Sequence, residues 1–118
     1  MKLWIEDVRP APEGYVWCKS VNEAKDSIVC QEKLFDSACG SAKYHFLKGN
    51  HQFVEEYLEE SRKAKIECID MDHDAGEYAS DGGDYIKLLD WLEETGRNYP
   101  IRIHSMNSVG VENMRLII

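Results

Sequence analysis

Long apolar runs are missing from this chain. None of its 118 residues lies in a stretch approaching the ~20 needed to cross a bilayer as a helix. The N-terminal MKLWIEDVRP reaches Glu6 and Asp7 before the apolar core of a secretory signal could form, so a cytoplasmic location is expected. Positive charge is scarce: 14 Lys and Arg stand against 22 Asp and Glu, a net charge of -8. With no basic stripe to displace counterions from many phosphates, tight non-specific binding to duplex nucleic acid is excluded. Cysteine occurs at positions 18, 30, 39 and 68, never as CxxC and never beside a histidine, so zinc and dithiol chemistry lack their ligand spacing and reduced thiols are expected. Proline is confined to three positions, and two of them, Pro10 and Pro12, fall in one short connection that they should hold stiff and extended.

What is present suits one globular domain, expected over residues 1–118, with 43% hydrophobic residues and length enough for a single core. Leu3–Ile5 and Tyr15–Lys19 (YVWCK) read as strands, joined by VRPAPEG, which is too short for a crossover helix. Ser20 and Glu23 have the spacing of a capping box, and Val21, Ala24, Ile28 and Val29 supply an apolar stripe, so a helix starts at about Val21. From Gln31 to Asn50 no period emerges. HQFVEEYLEESRKAK then has Phe53, Val54, Tyr57 and Leu58 at helical spacing, with glutamates early and basic residues late. IECIDM reads as a strand, DYIKLLDWLEETG as a helix closed by Gly96, PIRIHS as a strand and SVGVENMRLII as a last helix. Trp4, Trp17 and Trp91 sit within apolar patterns and are expected in the core.

Strands alternating with helices predict an α/β layer fold with a mainly parallel sheet of four strands, in the order 2-1-3-4, flanked by helices. Ligands of such sheets bind beyond the carboxyl ends of the strands. Three strands here end in polar clusters: Glu6-Asp7 with Arg9, then Asp72-His73-Asp74, then His104-Ser105 with Asn107. An isolated Asp-His-Asp also suits a solvated turn. Carboxylates from two adjacent strand ends, however, are what a hard cation such as Mg2+ or Mn2+ requires, and Glu6, Asp7, Asp72 and Asp74 are the candidate ligands. Imidazole as a side-chain type titrates near neutral pH, so His73 and His104 suit a base and an acid in phosphoester chemistry, although a lone strand-end histidine is more often structural. Ser105 and Asn107 are phosphate donors or helix caps, and Arg9 is a phosphate clamp or an ion-pair partner of the acids. EYASDGGDY reads as a loop over this edge, in which Asp81 and Asp84 suit helix starts rather than ligation. Asp70 breaks the apolar pattern of its strand without an evident reason.

LWIEDVRPAPEGYVWCKSVNEA, IDMDHDAG, GDYIKLLDWLEE and IRIHSMNSVGVENM resemble, in order and spacing, the motifs of the cyclic-phosphate processing receiver-like family. The resemblance lapses over residues 31–65, which read as a family-atypical insertion. It implies a receiver-like, flavodoxin-like domain acting on cyclic phosphates of nucleotides or RNA ends. Its motif positions fall on Asp7, Arg9, Asp72, His73, Asp74, His104, Ser105 and Asn107. Three positions depart from the pattern: Glu6 replaces an Asp, Ala75 a Leu and Ser108 a Pro.

The expected function is therefore a metal-assisted phosphodiesterase opening a cyclic phosphate. A divalent cation would sit on Glu6, Asp7, Asp72 and Asp74, the phosphate on Arg9, Ser105 and Asn107, with catalysis by His73, His104 and Asp72. The alternative is a non-catalytic receiver-like module that binds a nucleotide or partner protein at the same edge. The doubled histidine separates the two, because binding alone does not require it.

Overall fold

The computed structural model describes residues 1–104 and 108–118, without the side chain of Ser108. Strand β1 (Lys2–Ile5) and strand β2 (Tyr15–Cys18) are followed by helices α1 (Val21–Leu47) and α2 (His51–Ala64). Strand β3 (Cys68–Met71) leads through a 3-10 turn over Gly76–Ser80 to helix α3 (Ile86–Glu94), strand β4 (Ile101–Ile103) and helix α4 (Ser108–Arg115). The strands form one parallel sheet in the order β2-β1-β3-β4, the order expected when each crossover delivers its strand beside an earlier one. No described helix is long and apolar enough to cross a membrane, and Cys18, Cys30, Cys39 and Cys68 are all free.

The chain divides into two compact units, Met1–Ser27 with Glu67–Ile118, and Ile28–Ile66. In the first, Leu3 of β1 pairs with Ile69 of β3, and Ile69 with Ile101 of β4. Side chains alternate across a strand, so Leu3, Ile5, Ile69 and Met71 share one face. All four are fully buried, as are Val21, Ala24, Leu88 and Met114, with Leu89 and Leu92 nearly so. The opposite face carries Trp4, Asp70 and Arg102 in register, with Trp17 beside Trp4. Trp4, Trp17 and Trp91 are half-buried rather than core. The indole N–H groups of Trp4 and Trp17 donate to main-chain carbonyls of Arg9 and Glu6, polar ends that full burial would leave unpaired.

The connection between β1 and β2 contains no helix although the strands are parallel. Pro10 and Pro12 stiffen it, Gly14 turns it at φ 84°, and Trp4 anchors it through Arg9. At the start of α1, Ser20 Oγ accepts from the Glu23 N–H at 3.0 Å as a capping box requires, but the Glu23 carboxylate accepts from Lys19 rather than from Ser20. Asp81 also serves this helix start, accepting from Ser20 Oγ and Asn22 Nδ2, which ties the turn after β3 to α1.

In the second unit, the stretch that shows no period in sequence is helical, and α1 runs for 27 residues. Its buried positions there, Ala38 and Ala42, are one turn apart, whereas Leu34, Tyr44, Phe46 and Leu47 are exposed. A stripe of alanines escapes a hydrophobic-periodicity reading while favouring helix strongly. Gly49 at φ 76° closes the turn into α2, and His45 stacks on Tyr57 across the hairpin at 5.2 Å.

Truncating Ile69, fully buried in a central strand, should cost about 2–5 kcal/mol in denaturant unfolding, as for other core aliphatics. Val16→Ala, on an edge strand and 44% exposed, should stay within about 0.5 kcal/mol.

Candidate functional site

The hydrogen-bond ladder continues one residue past the strands. Glu6 N–H donates to Cys18 O at 3.2 Å, Asp72 N–H to Ile5 O at 2.9 Å and His104 N–H to Met71 O at 2.9 Å. Parallel strands lie ~4.8 Å apart, so this extension lines up the first polar residue of each strand end along the carboxyl edge. Glu6, Asp7 and Asp72 each place a carboxylate oxygen within 4.8 Å of the others. An octahedral Mg2+ holds its ligand oxygens roughly 3 to 4 Å apart, so a cluster within 4.8 Å is of the size that such an ion needs. The donor set is all oxygen, which suits a hard cation.

The three carboxylates are not equivalent. Glu6 is almost wholly buried, with Oε2 accepting from the N–H groups of Val8 and Arg9 and Oε1 accepting from Arg9 Nε at 2.8 Å. Burial alone would push its carboxyl up, but these hydrogen bonds outweigh it and hold the group at about 2. Asp7 moves the other way, raised by burial, by its contact with Glu6 and by the charges of Glu6 and Asp72. It is the crowded member of the three. Gly76 makes room for it: at φ 57°, a Cβ on Gly76 would stand 2.5 Å from Asp7 Oδ2. Asp72 Oδ1 accepts from the His73 N–H at 2.7 Å. Asp74, exposed, lies outside the cluster and shares a 2.9 Å hydrogen bond with His73 Nδ1.

The two histidines occupy different layers. His73 packs its ring against Gly110 of α4, where any Cβ would overlap it, and its carbonyl accepts from the Tyr85 N–H. His104 lies behind Glu6. Its ring stacks on Trp4 at 3.9 Å, Nδ1 meets Asp70 Oδ1 at 2.5 Å and Nε2 faces Glu6 Oε1 at 3.6 Å. Nε2 is buried and makes no hydrogen bond. Arg9 closes this layer, giving one guanidinium nitrogen to Glu6 and another to the His104 carbonyl at 3.0 Å. Ser105 and Asn107 lie outside the described residues.

A family model, the cyclic-phosphate processing receiver domain, matches residues 47–118. The chain belongs to that family. No curated protein and no solved structure matches it. In this cyclic-phosphate processing receiver domain the match takes in Asp72, His73, Asp74 and His104, while Glu6, Asp7 and Arg9 precede it and join through the sheet. The all-parallel sheet and its order are those of a receiver-like, flavodoxin-like fold.

Sequence reasoning missed two contributors. Asp70 is the partner of His104, and its signal was a lone acid inside an apolar strand. Gly110 seats His73, and its signal was a glycine inside a helical pattern, which costs helix stability unless close packing requires it.

Glu6 has a folded pKa below its ordinary 4.5, so its stabilising contribution is complete above that value and is lost as pH falls towards about 2. Glu6→Gln should flatten that part of the acid-unfolding curve. For Asp7 the sign reverses: with the folded value raised, ionisation costs stability as pH rises through it. Asp7→Asn should therefore raise the melting temperature of metal-free protein at pH 7.

Proposed function

We propose that this domain hydrolyses a cyclic phosphate of a nucleotide or RNA end with the help of a divalent cation, Mg2+ or Mn2+. The observation that carries the reading is the gathering of Glu6, Asp7 and Asp72 at the carboxyl edge of a domain of this family, with His73 directly after Asp72. When bound, such a cation would polarise the phosphoryl oxygens and offset the crowding of the carboxylates.

The chain's own groups then divide the work. Asp7 and Asp72 offer the less encumbered oxygens, while Glu6, committed to Val8 and Arg9, orients the loop that carries them. The outer edge of the Arg9 guanidinium, whose side chain is 52% exposed, meets the phosphate, and Ser105 and Asn107 are further donors. His73 takes the proton of the attacking water. The new bond forms between that oxygen and phosphorus, the ring P–O bond breaks, and the released alkoxide recovers a proton from His73. Asp74, hydrogen-bonded to His73 Nδ1, fixes the ring's tautomer. His104 works through Glu6 rather than on the substrate, since Nε2 is buried behind that carboxylate.

One observation favours a second reading, a binding module without turnover at the same edge: with the Nε2 atom of His104 buried and its Nδ1 given to Asp70, a single histidine remains to move protons. Purified protein incubated with 2',3'- and 3',5'-cyclic nucleotides and with RNA ending in a cyclic phosphate decides between them. Turnover that needs Mg2+ or Mn2+ and stops in EDTA is the expected result. Nucleotide binding without turnover would favour the module.

A cation on this cluster should also raise the melting temperature by mass action, and Asp72→Asn should abolish the rise. No shift at millimolar Mg2+ or Mn2+ would count against a metal site. His73→Ala should slow turnover by roughly 10²- to 10⁴-fold with the fold intact. His104→Ala should instead lower the melting temperature, because it takes the imidazole partner from Asp70 and the ring that stacks on Trp4.

A further inference from the structure

Binding an anion at this edge meets an electrostatic obstacle. The chain carries a net -8, and three carboxylates at one edge leave a formal charge of one negative after a divalent cation binds. Arg9 cancels that remainder, but two of its nitrogens are already given to Glu6 and His104. A cyclic phosphate diester is itself a monoanion. The site is matched to it only if one more positive charge faces the edge.

Lys19 follows β2, the strand beside β1, and its backbone is pinned on both sides. Its carbonyl accepts from Tyr85 Oη at 2.6 Å and its N–H donates to Glu23 Oε2 at 3.2 Å. The ammonium lies 4.6 Å from the centre of the Trp17 ring and 5.9 Å from that of Tyr78. Both rings lead back to the acidic cluster. The Trp17 indole donates to Glu6 O at 2.7 Å, and Tyr78 stands in the turn that begins at Gly76, against Asp7. Tyr85, which holds the Lys19 carbonyl, is buried and its phenol is pushed up by that burial and by the charges of Asp7, Glu6 and Asp72. Among the described residues no carboxylate pairs with the Lys19 ammonium. In so acidic a chain, a cation held over ring faces and kept from carboxylates retains its charge for an incoming anion.

We propose that Lys19 is a substrate-binding residue that receives the phosphate of the cyclic diester, aimed from β2 by the rings of Trp17 and Tyr78. The inference rests on the reading of this edge as a cyclic-phosphate site. It adds a residue that lies before the family match at 47–118 and is not among the motif positions named above.

The test uses the full chain with Mn2+ and adenosine 2',3'-cyclic phosphate as the probe, measuring binding by calorimetry and KM where turnover occurs. Lys19→Met keeps the aliphatic stem over Trp17 and removes the charge, and Lys19→Arg keeps the charge. Lys25→Met is the control, because Lys25 makes the same kind of ring contact, with Trp91 at 5.7 Å, a ring that makes no contact shown with Glu6, Asp7 or Asp72. Losing a charge-assisted phosphate contact should weaken binding or raise KM roughly tenfold or more in Lys19→Met. Lys19→Arg should stay close to wild type and Lys25→Met should match it. Mn2+ affinity and melting temperature should be unchanged in Lys19→Met, which a merely structural lysine would not combine with a binding loss. If Lys19→Met binds the probe like wild type, the assignment of Lys19 is wrong while the cyclic-phosphate reading stands. If wild type neither binds nor turns over the probe, both fall together.

Discussion

The backbone ladder that runs one residue beyond β1, β3 and β4 is the constraint on which the site depends. Each of its bonds is an ordinary amide-carbonyl contact, 2.9 Å from Asp72 to Ile5 and from His104 to Met71. Together they convert a register within the sheet into a row of side chains at its edge. Slipping β3 by one residue against β1 would turn Asp70 and Asp72 to the opposite face and bring Ile69 and Met71 out of the core. The buried aliphatic residues therefore enforce the position of the carboxylates. Core packing and site geometry are two consequences of one register.

Crowding that would be costly elsewhere is tolerated here because the carboxylates are unequal. Glu6 is supplied with enough donors to stay ionised inside the protein, and the repulsion is concentrated on Asp7, which a cation or a proton can relieve. Behind them, Asp70, His104 and Trp4 form a second layer that bears on Glu6 from the sheet side. The buried Nε2 of His104, without a hydrogen bond, marks where this layer meets the first. Arg9 joins the layers by reaching both Glu6 and the His104 carbonyl, so the short proline-stiffened connection after β1 is part of the site's support as well as a link to β2. The same connection carries the Trp4 anchor, and through Trp17 the main chain of Glu6 is tied to β2.

Much of the fold was legible before any coordinates. Short apolar runs ending in acids, separated by helical stretches, predicted a parallel sheet, and adjacency of successive strands predicted its order, because local pattern and short crossovers constrain topology strongly. The long first helix was not legible from Gln31 onward. Past that point its buried positions are the alanines Ala38 and Ala42, while Leu34, Tyr44, Phe46 and Leu47 face outward, the reverse of the pattern that a periodicity reading detects. The tryptophans were misread for a related reason: an indole is both apolar and a donor, and here the donor decided its depth.

The sequence by itself determined which strand ends carry ionisable groups and that they share one edge, since a parallel sheet puts every carboxyl end on the same side. It also determined the family, through ordered motifs that the family match bears out over residues 47–118. Only the tertiary structure decided what each group meets there. Asp70 meets His104 across 34 residues of chain and Tyr85 holds Lys19 across 66, and no local pattern records such distances. Whether a carboxylate is crowded by its neighbours, as at Asp7, or supplied with donors, as at Glu6, depends on the groups that the fold brings to each oxygen. That supply is set by loop path and register, which are properties of the folded chain and not of any residue's type.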